Sequence, residues 1–209
     1  MGWLNKKWMN AGYTNQGWLN DYACSPFIIT VKTDNTGTSN DNQFILPLKS
    51  GETYDFVVGY DGTETAHTTD SDLTLTFPSG TGTYDLEISG IFPAIYFNNT
   101  GDKLKIIDIK CFGTGQWTTM EKAFYGCSNM ATSYTDIPNT TNVISMSLMF
   151  LNCSIANPDV SGFDTAKVTN MYAMFRDCSL ANPDVSGFDT VKVTTMSNMF
   201  YNCSIANPD

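Results

Sequence analysis

The chain has 209 residues, 42% hydrophobic and only 15% charged, with 11 Lys and Arg against 21 Asp and Glu and a formal net charge of −10. That balance argues against nucleic acid, whose phosphates require clustered Lys and Arg, and against adhesion to an anionic membrane. No run approaches the roughly 18 apolar residues of a spanning helix, so membrane insertion is not expected.

Residues 1–26 form a distinct opening segment in which GWLN occurs at Gly2–Asn5 and Gly17–Asn20, with WMN at Trp8–Asn10 between them. No continuous apolar region comes after Lys6 and Lys7, so the segment does not read as a secretory signal. Lys6 also stands where a myristoylation motif has Ser or Thr. The protein is thus expected to be made without an obvious export signal. Trp3, Trp8 and Trp18 lie in polar surroundings. They either tuck back onto the neighbouring domain or serve as aromatic anchors that dock into a partner assembly, burying large area at little entropic cost.

Residues 27–97 change to alternation: FIITVK, QFILPL, YDFVVGY, LTLTF and TYDLEISGIF, separated by DNTGTSNDN, KSGE, YDGTET and SGTGT. Short strands between Gly-, Asp- and Asn-rich turns predict a β-sandwich. The stretches YDFVVGYDGTETAH and GTYDLEISG resemble a PKD-type, immunoglobulin-like module, which implies a spacer role. His67, the one histidine of the chain, lies in a turn-rich stretch that offers it no credible Ser-His-Asp or Cys-His partner, so it reads as a loop or strand-edge side chain of the sandwich. GTGQW at Gly113–Trp117 reads as a turn, not a phosphate loop.

From residue 98 onward the chain repeats. Ser154–Cys178 and Ser179–Cys203 are identical at 18 of 25 positions, and SIANPD begins another copy at Ser204. Met171, Met174, Phe175 and Cys178 fall at helical spacing, as do Met196, Met199, Phe200 and Cys203, and Met146, Met149, Phe150 and Cys153. This pattern predicts a two-turn helix per copy with those residues as the core. The intervening NPDVSGFDTAKVT, carrying Pro158 and Gly162, predicts extended chain with a short strand. One unit cannot bury its apolar stripe alone, so neighbouring units are expected to stack, Met on Met and Phe on Phe.

Cysteines at 127, 153, 178 and 203 follow the period and read as buried thiols, although pairing between layers is geometrically open. No C-x-x-C pair is present, which argues against zinc. Asp159, Asp184 and Asp209, like Asp164 and Asp189, recur in register. Turn formation explains them more simply than calcium, so no metal or other cofactor is expected.

The stretches FDTAKVTNMYAMFRDCS and FDTVKVTTMSNMFYNCS resemble the BspA-like leucine-rich repeats of bacterial surface and phage-encoded proteins. That resemblance implies a right-handed solenoid and a role in adhesion or recognition, with no catalytic residue to carry over.

The expected fold is mainly β with short helices: a β-sandwich at 27–97 and then a BspA-type leucine-rich-repeat solenoid at 98–209, about four coils that could continue further. The expected function is non-enzymatic attachment on a phage virion, as a tail or fibre component on the virion exterior. The alternative is a bacterial cell-surface adhesin, with a carbohydrate-active enzyme a distant third. Partners would be other assembly proteins, through the arm, and a host-surface glycan or protein, with the chain oligomeric in its assembly. Positions that the period leaves free supply a candidate recognition face: Tyr172, Arg176, Asp177, Asn198, Tyr201 and Asn202.

Overall fold

The computed structural model describes residues 24–207. Eight strands form: β1 (Phe27–Lys32), β2 (Gln43–Leu46), β3 (Asp55–Tyr60), β4 (Thr63–His67), β5 (Leu73–Thr76), β6 (Thr83–Ile91), β7 (Ile106–Cys111) and β8 (Ala131–Thr132). Six of them make one sheet in the order β4-β3-β6-β1-β7-β8, and β2 and β5 make a second, two-stranded sheet. Period-two patterning explains the first sheet. Phe56, Val58 and Tyr60 of β3 turn inward while Val57 is exposed, and Leu86 and Ile88 of β6 do the same. β1 sits between β6 and β7, antiparallel to both, and its Ile29 and Val31 are fully buried.

The small sheet belongs to the same core. Phe77, just past β5, has ring contacts with Tyr60 at 5.2 Å and Tyr84 at 4.4 Å. The loop between β1 and β2 is held from inside by two charged residues. Asp102, 1% exposed, accepts hydrogen bonds from the N–H groups of Thr38 (2.7 Å), Ser39 (3.0 Å) and Ile45 (2.7 Å). Burial pushes its carboxyl up, but the bonds from Ser39, Ile45 and Thr38 outweigh that and hold it below the ordinary carboxylate value. Lys105, fully buried, donates from Nζ to the carbonyls of Ser39 (3.1 Å), Asn40 (2.8 Å) and Gln43 (3.0 Å). A buried ammonium with this many acceptors has replaced much of its lost hydration.

The expectation of a sandwich and a separate strand-and-helix solenoid is overturned on two counts. First, there is no sandwich standing apart from the repeat region. β7 and β8 lie beyond residue 97 yet join the sheet of β1 and β3, and one hydrophobic cluster runs from Phe27 to Met199. Trp117 ties the regions together, edge-on to Phe27 at 5.1 Å, Phe92 at 6.0 Å and Phe112 at 5.9 Å.

Second, no helix forms among the described residues; the segments expected as helices are turns, and no closed solenoid results. Within each unit the N–H of Met149, Met174 or Met199 bonds to the carbonyl of Met146, Met171 or Met196, and that of Cys153, Cys178 or Cys203 to Phe150, Phe175 or Phe200. Two residues per unit take the left-handed conformation: Leu148 (φ 59°) and Asn152 (61°), Ala173 (51°) and Asp177 (59°), Asn198 (60°) and Asn202 (58°). Left-handed residues four apart are incompatible with a right-handed helix.

The intervening N–H groups reach the next unit. Those of Met146, Leu148, Phe150 and Asn152 bond to the carbonyls of Asn170, Tyr172, Met174 and Arg176 at 2.9–3.0 Å. Those of Met171, Ala173, Phe175 and Asp177 bond likewise to Thr195, Ser197, Met199 and Tyr201 at 2.8–3.0 Å. An eight-residue helix would have left most of its terminal donors and acceptors unpaired. Layering pairs them across units instead.

Candidate functional site

Interior and exterior of the layers are built from different positions of the same unit. Inside, Phe124, Phe150, Phe175 and Phe200 form a column with centroids 5.6, 5.9 and 5.5 Å apart and ring planes within 13° of parallel. Met146, Met149, Phe150, Cys153, Met171, Met174, Phe175 and Cys178 are fully buried. The last layer differs. Met196 is 44% exposed, contrary to its expected core position, and Phe200 and Cys203 are half-buried, because no further layer of the described residues covers them.

Three of the four repeat thiols donate to a carbonyl of the preceding layer. Cys153 Sγ donates to the Phe124 carbonyl at 3.0 Å, and Cys178 and Cys203 donate to Phe150 and Phe175 at 2.7 Å each. Burial pushes the Cys153 thiol well up and that of Cys178 to about 12, so these sulfurs stay protonated and are poor nucleophiles. The register aspartates also have local partners. Asp159 accepts from Ser161 N (3.1 Å) and Oγ (2.7 Å), Asp164 from Ala166 N (3.0 Å), Asp184 from Ser186 N (3.0 Å) and Asp189 from Val191 N (3.0 Å). These are Asx turns.

The outer positions behave unevenly. If the segments were helices, Ser147, Leu151 and Ala173 would point away from the core; as turns, they are 4%, 8% and 0% exposed. Four of the six expected recognition residues come together across the last two layers. The Arg176 guanidinium lies over the Tyr201 ring at 4.9 Å, and its Nε donates to Asp177 Oδ2 at 3.2 Å. Asn202 Nδ2 donates to Asp177 Oδ1 at 2.8 Å. Tyr201 remains 53% exposed. Tyr172 is half-buried and Asn198 exposed, and among the described residues no side-chain hydrogen bond, ion pair or ring contact joins either to the four. Trp3, Trp8 and Trp18 lie outside the described residues.

Sequence reasoning missed two features. One is an aliphatic stripe: Ile155, Leu180 and Ile205 are 46%, 48% and 52% exposed, one per layer. Its signal was there to read, since the residue after each Cys-Ser stays aliphatic in all three copies. The other is a disulfide between Cys24 and Cys111, joining residues 87 apart. Neither cysteine follows the 25-residue period, so the repeat offered no guide to them. Asp136 lies beside the pair and could complete a three-donor cation site. The two sulfurs are bonded to each other, however, and Asp136 accepts from Phe112 N (3.0 Å) and Gly113 N (2.8 Å). A cleft of about 160 Å³ holds Asp136 and Asp159 with Tyr134 and Phe163. Both carboxylates there are already engaged as acceptors of N–H groups.

No curated protein and no solved structure matches the chain. A family does match: residues 95–209, more than half of the sequence, fit the family described as "Mycoplasma protein of unknown function, DUF285". On that match the chain belongs to the DUF285 family.

Proposed function

We propose that this protein is a non-enzymatic attachment protein whose repeat layers bind a host-surface glycan or protein, as an exterior component of a phage virion such as a tail or fibre. The observation that carries the reading is the cluster of Arg176, Asp177, Tyr201 and Asn202. These residues occupy positions where the two near-identical copies differ, while the Met, Phe and Cys of the column are unchanged. Rigid layers that hold variable Arg, Tyr, Asp and Asn side chains outward suit recognition, because the scaffold bears the ordering cost before a ligand arrives. The stripe of Ile155, Leu180 and Ile205 adds apolar contact area along the stack. Repetition then multiplies weak contacts into avidity. The Trp-bearing segment at 1–26 would serve as the attachment point to the rest of the assembly.

A bacterial cell-surface adhesin of BspA-like type is the second reading. The Cys24–Cys111 disulfide favours an oxidising exterior compartment and suits either setting.

The test is binding of the whole protein to arrayed glycans and to candidate host cells, compared with Arg176→Ala and Tyr201→Ala. Each variant should weaken binding about tenfold or more, the usual effect of losing an aromatic or Arg anchor, with an unchanged melting temperature. Wild-type affinity in both variants would sink the reading.

A further inference from the structure

Cys24, Cys111 and Asp136 come from three separate parts of the chain: just before β1, the end of β7, and the segment after β8. Their sulfurs and a carboxylate oxygen lie within 4.8 Å of one another, the one such group of three His, Cys, Asp or Glu ligand atoms among the described residues. While the sulfurs are joined, no ion fits between them. Reduction changes the donors. Two molecules of a small thiol pass two electrons and two protons to the disulfide, by way of a mixed disulfide, and leave as their own oxidised pair. Cys24 and Cys111 are then two thiols beside a carboxylate.

We propose that the reduced Cys24–Cys111 pair and Asp136 bind one thiophilic divalent cation such as Zn²⁺, which ties the approach to β1 to the end of β7 whenever the disulfide is absent. The spacing fits. Cys111 Sγ and Asp136 Oδ2 are 3.5 Å apart, and a tetrahedral site sets its sulfur and oxygen ligands about 3.5 Å from each other. The carboxylate is already aimed, because the N–H groups of Phe112 and Gly113 donate to it at 3.0 and 2.8 Å, as outer partners of metal ligands do. The two sulfurs must separate to about 3.8 Å, a movement that falls to the half-buried Cys24, since Cys111 is fully buried. Cys24 and Asp136, both half-buried, leave the cation a way in and water a place in the fourth position. The repeat thiols compete poorly: burial pushes those of Cys127 and Cys153 well up, and Cys178 and Cys203 donate to carbonyls. A reducing compartment is the setting in which the cation stands in for the disulfide. This inference stands independently of any ligand bound by the repeat layers.

The experiment takes the full chain, reduced with a phosphine and kept free of oxygen, and titrates it with Co²⁺ as an optical probe and Zn²⁺ as its competitor. One Co²⁺ per chain should bring up thiolate-to-metal absorption that Zn²⁺ abolishes. Zn²⁺ should also raise the melting temperature of the reduced chain by about 2–4 °C or more. The oxidised chain should show neither effect. Cys24→Ser, whose melt should match that of the reduced wild type without cation, should lose the absorption. Asp136→Asn keeps an acceptor for the two N–H groups and should bind about tenfold more weakly or worse. Absence of thiolate absorption in the reduced wild type, or its survival in Cys24→Ser, overturns the proposal; wild-type affinity in Asp136→Asn overturns the carboxylate's part in it.

Discussion

In β1, Ile29 and Val31 face the core because the chain is extended and side chains alternate, and the backbone groups pair with β6 and β7 on either side. In the layers, Leu148 and Phe150 also send their N–H groups to a neighbouring segment, but Met149 between them closes a turn on Met146. Both regions therefore pair their backbone between distant segments. They differ in what happens at every second residue: the strand region passes it to the opposite neighbour, while the layered region folds it back into its own unit. This costs left-handed conformations at non-glycine residues, about 1–2 kcal/mol at a residue such as Leu or Ala. It yields a unit that returns on itself within 25 residues and can be repeated.

Four measurements probe the contrast between strands and layers. The largest effect belongs to the ring column. Phe150→Ala removes a ring stacked on both sides and should cost about 3–5 kcal/mol in denaturant unfolding, whereas Phe200→Ala, stacked on one side, should cost clearly less. Equal losses would mean that the layers do not support one another. In the strand region, Asp102→Ala should cost about 3 kcal/mol, because three N–H groups lose the charged acceptor that the buried Asp102 carboxylate provides. The wild type carries its own version of that experiment. With the folded carboxyl held low, the contribution is present above the ordinary carboxylate range and is lost as pH falls through the folded value. An acid-limb melt that is the same in wild type and Asp102→Ala would exclude it.

Reduction by a thiol reagent should destabilise the protein by about 2–4 kcal/mol by opening the 87-residue link between Cys24 and Cys111. Cys24→Ser should abolish that sensitivity, since the thiols of the layers are not paired. The smallest effect has the clearest sign. Ala173→Gly in a helix would lose about 1 kcal/mol; at φ 51° it should instead be neutral or gain up to about 1 kcal/mol by relieving the left-handed strain. A clear loss in a thermal melt would restore the helix.

That last substitution marks where sequence reading failed. The strands at 27–91 were legible because alternation has one structural meaning. Met171, Met174, Phe175 and Cys178 were recognised as a set and are buried together, but their spacing suits a helix and a double turn equally well. The deciding residues were the left-handed ones. Leu148 and Ala173 carry no sign of that conformation, whereas Asn152, Asp177, Asn198 and Asn202 are of the types that tolerate it. The Arg176, Asp177, Tyr201 and Asn202 cluster was legible as variation between copies. Its geometry was not, since it depends on side chains one layer apart meeting across the repeat. The disulfide and the Asp102 and Lys105 clamp join segments far apart in sequence, with no local pattern to announce them.

The first layer is not a copy of the later ones. At the slot filled by Asn152, Asp177 and Asn202 it has Gly126 at φ 85°, where a Cβ would strike the side chains of Asn99 and Lys103. This layer is an adaptor, cut to fit the sheet on one side and the repeating unit on the other. Duplication or loss of whole units between near-identical copies can therefore lengthen or shorten the molecule downstream of Cys127 without disturbing its base. The step from Phe124 to Phe150 is 26 residues and the two later steps are 25, so a loop can also absorb one extra residue without breaking the ring column.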